Sequence, residues 1–114
     1  MRDRTDILTD LVLFKGELSE LRNELSQYSS DVEKPLITIS KLDFSNILRR
    51  CIAEEISFED LTDWANLIEF RDDLDFELAE MQELTFELAS PEINGEISKE
   101  RLKEMINELI AQHN

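Results

Sequence analysis

The sequence predicts an all-α protein, a compact bundle of about five amphipathic helices, and three observations carry that prediction. Glycine and proline number only two each in 114 residues. The rest is rich in Leu, Glu, Lys, Arg, Gln and Met, side chains that lose little rotamer freedom in a helix. Apolar residues recur at steps of three and four along most of the chain. With 41% hydrophobic residues, one domain over residues 1–114 can close a core without disulfides or a structural metal, and global disorder is a poor reading.

In the first segment Ile7, Leu11, Phe14, Leu18, Leu21, Leu25 and Tyr28 recur at steps of 4, 3, 4, 3, 4 and 3, which predicts one long amphipathic helix. Such a seam can build a coiled-coil dimer, but in a small helical domain it more often packs on its own bundle. Residues 26–35 are polar and end at Pro35, which disfavours helix at Lys34, so they read as a connection. Ile37, Thr38 and Ile39 are β-branched; lacking an evident partner strand, they read as an extended linker. Ser40 with Asp43 offers a start signal for a second helix carrying Phe44, Ile47, Leu48, Cys51 and Ile52.

A third helix is expected from Phe58, because Ser57 can cap it, Asp60 sits at its third position and Ile56 with Leu61 forms a hydrophobic staple. Leu61, Trp64, Ala65 and Ile68 make its inward face, with Trp64 at the centre of the core. It ends near Arg71-Asp72-Asp73. A fourth helix from about Leu74 to Ala89 points Leu74, Leu78, Met81, Leu84 and Leu88 inward, with Phe76, Phe86 and Ala89 widening that face. Pro91 and Asn94-Gly95 then break the chain. The last helix follows Ser98, stapled by Ile97 and Leu102, with Met105, Ile106, Leu109 and Ile110 inward.

Charge is the feature that speaks to function. The formal net charge is −15. Residues 54–92 hold fourteen carboxylates against one base, Arg71, a net of 1 − 14 = −13, while residues 1–53 (8 − 9) and 93–114 (3 − 4) each carry −1. Such a field attracts cations, repels nucleic acid and anionic membrane, and speeds encounter with a basic partner. The composition points to a binding protein and not to an enzyme.

Residues suited to catalysis or metal binding are scarce. His113 is the single histidine and lies next to the last residue, where side chains fray, which argues against triads and histidine metal sites. No glycine-rich phosphate loop is present, and bases do not cluster with aromatics. Paired carboxylates can cleave glycosides, yet these read as a solvated face. A di-iron bundle would need Glu-x-x-His elements that are missing. Ser90, Glu92, Asn94, Gly95, Ile97 and Ser98 fall at calcium-loop spacing, but Arg101 stands where the closing glutamate belongs, so a turn before a capped helix is the better reading. Asp72, Asp73 and Asp75 could collect a divalent ion, but nothing fixes their geometry. No cofactor and no metal are expected.

Cys51 is the one cysteine and sits on an apolar helix face, which predicts a buried structural thiol in a reducing cytoplasm. The apolar cluster at Leu11–Phe14 is too short for a signal peptide or a membrane span.

Binding should centre on the corner around Arg71. Phe70 lies off the apolar stripe and precedes the acids, an arrangement that suits an aromatic anchor ringed by charge and equally a side chain packed within a loop. Asp72, Asp73 and Asp75 are the leading contacts. Glu69 lies one turn back, and Glu77, Glu80 and Glu83 adjoin along one flank of the next helix. Exposed ion pairs contribute only about 0 to 1 kcal/mol each, so a few residues should dominate.

The stretch from Leu61 through Trp64, Ala65 and Asn66 to Arg71-Asp72-Asp73, followed by Phe86 to Gly95 with Pro91 and Asn94, resembles small acidic bacterial immunity proteins. The group it is similar to serves contact-dependent growth inhibition and related polymorphic toxin systems, and the likeness spans roughly residues 56–110. It implies a cytoplasmic inhibitor that binds a cognate basic toxin domain, commonly a nuclease, and covers its phosphate-binding groove or a neighbouring exosite; a monomer is expected over a homodimer. The competing expectation is an acidic adaptor that dimerises through its first helix and docks another basic protein.

Overall fold

Seven helices and two three-residue strands form among residues 3–28, 33–69 and 71–111, which the computed structural model describes. In chain order these are α1 (Arg4–Val12), α2 (Leu18–Leu25), β1 (Ile37–Ile39), α3 (Lys41–Ile52), α4 (Phe58–Ile68), β2 (Leu74–Phe76), α5 (Ala79–Ala89), the single turn α6 (Pro91–Asn94) and α7 (Lys99–Ala111). The all-α class predicted from composition holds, with a minimal parallel sheet added. α3 packs on α7 and α4 on α5, while α1 reaches α2, α4 and β1.

Serine caps start the three best-defined helices. The hydroxyls of Ser40, Ser57 and Ser98 accept from the backbone N–H of Asp43, Asp60 and Arg101 at 3.0, 3.0 and 3.1 Å, each satisfying a donor that helix geometry leaves open. Behind these starts the stripes of α3, α4 and α7 enter one core, where Phe44 and Trp64 meet with ring centroids 5.8 Å apart. Trp64 is fully buried, as its place on the stripe predicts, and Cys51 is buried too.

The first helix is not continuous. α1 ends in a Schellman-type turn: Lys15 N–H donates to the Asp10 carbonyl and Phe14 N–H to that of Leu11, with Phe14 at φ 50° and Gly16 at φ 90°. Side chains from distant segments hold this end. Trp64 Nε1 donates to the Leu11 carbonyl at 2.7 Å, and Arg50 Nη1 to those of Leu13 and Phe14, each at 3.1 Å. The break folds α2 back onto α1, so Leu11, Leu21 and Leu25 enter the core and no continuous heptad seam faces outward.

The fourth helix also begins later than its apolar spacing suggests. Leu74, Asp75 and Phe76 form β2, parallel to β1, with Ile37, Thr38 and Ile39 opposite them. The Asp73 carbonyl accepts from both Leu36 and Ile37, and Glu77 N–H donates to Ile39. A β-branched run carries backbone groups that need partners. The alternation of buried Leu74, exposed Asp75 and half-buried Phe76 supplies a strand that fits.

Candidate functional site

The corner between α4, β2 and α5 gathers the residues expected to bind, and the fold sorts them into different roles. Asp72 lies exposed in the turn before β2, and Asp75 is exposed on β2 itself. Asp73, expected as a contact, is instead an interior residue: its side chain is 0% exposed. Arg71 grips it with two parallel bonds, Nε to Oδ1 and Nη2 to Oδ2, both 2.8 Å. Residue 73 sits in the turn that enters β2, with its carbonyl held by Leu36 and Ile37, and a carboxylate taken out of water there needs a fork-shaped cation beside it.

Glu77, Glu80 and Glu83 do not share one helix flank, because Glu77 precedes α5. Its Oε1 accepts from Lys41 N–H at 2.9 Å and so caps the start of α3. Glu80 is half-buried and Glu83 exposed on α5. Phe70 lies outside the described residues, as does His113. Phe86, expected to widen the inward face of its helix, is 44% exposed. Met81, Leu84, Thr85 and Leu88 form the buried stripe of α5, and Phe86 falls off it, a displacement that the helical spacing already carried.

Glu69 is where the geometry is least satisfied. It closes α4 as the C-terminal cap, its N–H donating to Ala65 at 2.9 Å. Its Oε2 is buried and has no hydrogen-bond partner among the described residues. Burial pushes the carboxyl above its ordinary range. α4 has Glu59 and Asp60 in its first turn and no base in its last, so the helix dipole also disfavours a negative charge at Glu69. Beside it runs a groove of about 470 Å³ lined by Glu69, Phe76, Ala79, Gln82, Glu83, Thr85 and Phe86. No lining residue is basic.

A second groove of about 470 Å³, around Phe58, Pro91 and Ile97, carries Glu59, Asp63 and Glu96. All three acids there are exposed to water. The calcium-like spacing after α5 serves another purpose: Arg101 donates to both oxygens of Glu87 at 2.7 and 2.8 Å and to Glu108 at 3.4 Å. Those carboxylates, Glu87 foremost, raise the guanidinium's proton affinity above its ordinary value. Among the described residues no three His, Cys, Asp or Glu side chains converge where they could hold a metal ion. No described helix is long and apolar enough to cross a membrane.

Across residues 54–92 the available bases are few and already engaged. Arg71 holds Asp73, Lys99 reaches Glu54 at 3.5 Å, Arg50 reaches Glu55 at 3.9 Å and Arg101 takes Glu87. Among the described residues no base pairs with Glu59, Asp60, Asp63, Asp72, Asp75 or Glu83. These features define the class of surface: strongly acidic, on a helical scaffold, with aromatic side chains set into its grooves. No family model, curated protein or solved structure matches the chain.

Proposed function

We propose that this chain is an immunity protein that binds a basic toxin domain, of nuclease type, in the cytoplasm and neutralises it by covering its cationic surface. The observation that carries the reading is the concentration of uncompensated charge: a net of 1 − 14 = −13 over residues 54–92, most of it exposed and without a basic neighbour. A protein does not need such a field to fold, since self-repulsion weakens the compact state. What the field supplies is fast encounter with a basic surface and discrimination against acidic ones. A nuclease presents such a surface wherever it holds phosphates. The sequence resemblance to immunity proteins of polymorphic toxin systems supports the same reading. The immunity reading is favoured over the adaptor alternative by the seam of the first segment, which is divided between α1 and α2 and turned into the core.

The test is capture of partners from the native host by the tagged protein at low and moderate salt, followed by co-expression of this chain with the captured protein. One stoichiometric basic partner that withstands moderate salt, and whose toxicity this chain suppresses, is the expected result. A salt-labile mixture of abundant basic proteins, or a partner whose effect on cells is unchanged by co-expression, overturns the proposal.

A further inference from the structure

Among the acidic surfaces of the molecule, the groove between the C-terminal end of α4 and α5 differs from the rest in one respect. The carboxylates around Phe58 stand in water, where solvent satisfies them. Glu69 lines the α4–α5 groove, and its Oε2 is withdrawn from solvent with no donor among the described residues. Leaving a buried acceptor unmet carries the full desolvation penalty of that group. The groove also holds two phenyl rings, Phe76 and Phe86, with Glu83 on its rim.

We propose that this groove takes one arginine side chain of the basic partner, seated against the rings of Phe76 and Phe86 and donating to the Glu69 carboxylate. This rests on the proposed function and names the contact at its centre. Each lining feature matches a part of arginine. A planar guanidinium lies on aromatic faces and offers donors in a fork, whereas an ammonium is a strongly hydrated point charge with less affinity for a ring. The methylene stem has Ala79 and the phenyl edges to lie against. A cation placed here also meets the negative end of α4, whose last turn contains no base. The chain's own nearby arginine does not compete, since Arg71 is locked to Asp73. Such a site would act as an anchor within a wider acidic face, a fully desolvated contact surrounded by rim charges that mostly steer.

The experiment is a nuclear magnetic resonance titration of the whole chain with three capped tripeptides, glycine flanking arginine, lysine or citrulline. The arginine peptide is expected to shift signals of Glu69, Phe76 and Phe86 ahead of those at Phe58 and Asp63, and to bind several-fold more tightly than the lysine peptide. Citrulline, with the same shape and no charge, should not bind. Glu69→Gln and Phe86→Ala should each weaken the arginine peptide about fivefold, roughly the worth of one charge-assisted or cation–π contact. Equal binding of lysine and arginine, shifts spread over the whole acidic face, or unchanged binding by both variants overturns the groove assignment. So do concentration-dependent shifts at Phe86 without peptide, which would mean that a second copy fills the groove. The two proposals fail separately. A captured toxin bound equally well by wild type and by both variants rejects the groove and leaves the immunity reading intact. An arginine-selective groove on a chain that captures no basic partner does the reverse.

Discussion

Two arginines, Arg50 on α3 and Arg71 before β2, show how differently the two halves of the molecule use positive charge. Residues 1–53 are nearly balanced, eight bases to nine acids, and Arg50 is spent on backbone: it binds the carbonyls of Leu13 and Phe14 just past α1 and lies over the Phe14 ring at 5.5 Å. Residues 54–92 contain one base, and it is consumed within two residues by a buried carboxylate. The first half therefore folds with its bases and acids nearly equal in number. The second retains one internal pair, at the turn into β2, and leaves most of its charge facing outward. Negative charge that serves no internal purpose is what a partner can read.

The largest expected effect comes from breaking the internal pair. Arg71→Ala leaves Asp73 buried without its cation, and removing one member of a buried pair typically costs about 3–5 kcal/mol. Urea denaturation should show that loss as a lower midpoint, with β1–β2 amides losing hydrogen-exchange protection first, because the Asp73 carbonyl anchors Leu36 and Ile37. Replacing Asp73 therefore tests the fold and not the binding surface, whereas Asp72 and Asp75 remain available for charge-removal experiments. A midpoint within error of wild type would mean that water reaches Asp73.

Arg50→Ala should be milder. It removes two hydrogen bonds to the carbonyls of Leu13 and Phe14 from a side chain that is 37% exposed, an expected loss of about 1–2 kcal/mol. The α1 end keeps its own turn bonds and Trp64, so the variant should fold. Thermal unfolding checks the size, and exchange of the Phe14 and Lys15 amides checks the location. A loss as large as that of Arg71→Ala would erase the distinction between the two halves.

The parts of the fold that were legible in sequence are those decided locally. The caps at Ser40, Ser57 and Ser98 depend on residues three apart, and each forms as read. Trp64 and Cys51 enter the core because a helical stripe places them there. What escaped was decided at long range. The break after α1 had a local sign in Gly16, but the heptad spacing outweighs it until Trp64 and Arg50, both distant in sequence, bind the exposed carbonyls. The pairing of Ile37–Ile39 with Leu74–Phe76 spans a crossover of two helices, and no local pattern states it. The acidic corner was similarly half legible. Composition located it, but Asp72, Asp73 and Asp75 are chemically alike in sequence, and only the way the turn into β2 packs separates the buried one from its exposed neighbours. Glu69 drew notice as an adjoining acid, while its unmet oxygen depends on packing that sequence does not display.

The smallest effect sharpens the comparison from the acidic side. The carboxyl of Glu69 holds its proton to higher pH in the folded state than in the unfolded chain, where the ordinary value is 4.5. Between those two values the folded protein binds more protons than the unfolded one, so the contribution of this group to stability falls as pH rises. It is fully present below about 4.5 and is lost as pH passes upward through the folded value. Glutamine keeps the shape of the protonated acid and cannot ionise. The stability of Glu69→Gln relative to wild type should therefore stay level below the window, improve as pH climbs through it and level off above. Urea midpoints of the two proteins compared across that range measure this, and subtracting one from the other removes the titration of every other carboxylate. A difference that instead shifts toward wild type with rising pH would mean that a donor already meets Oε2. In that case the acidic half would have satisfied its charge at this point from within.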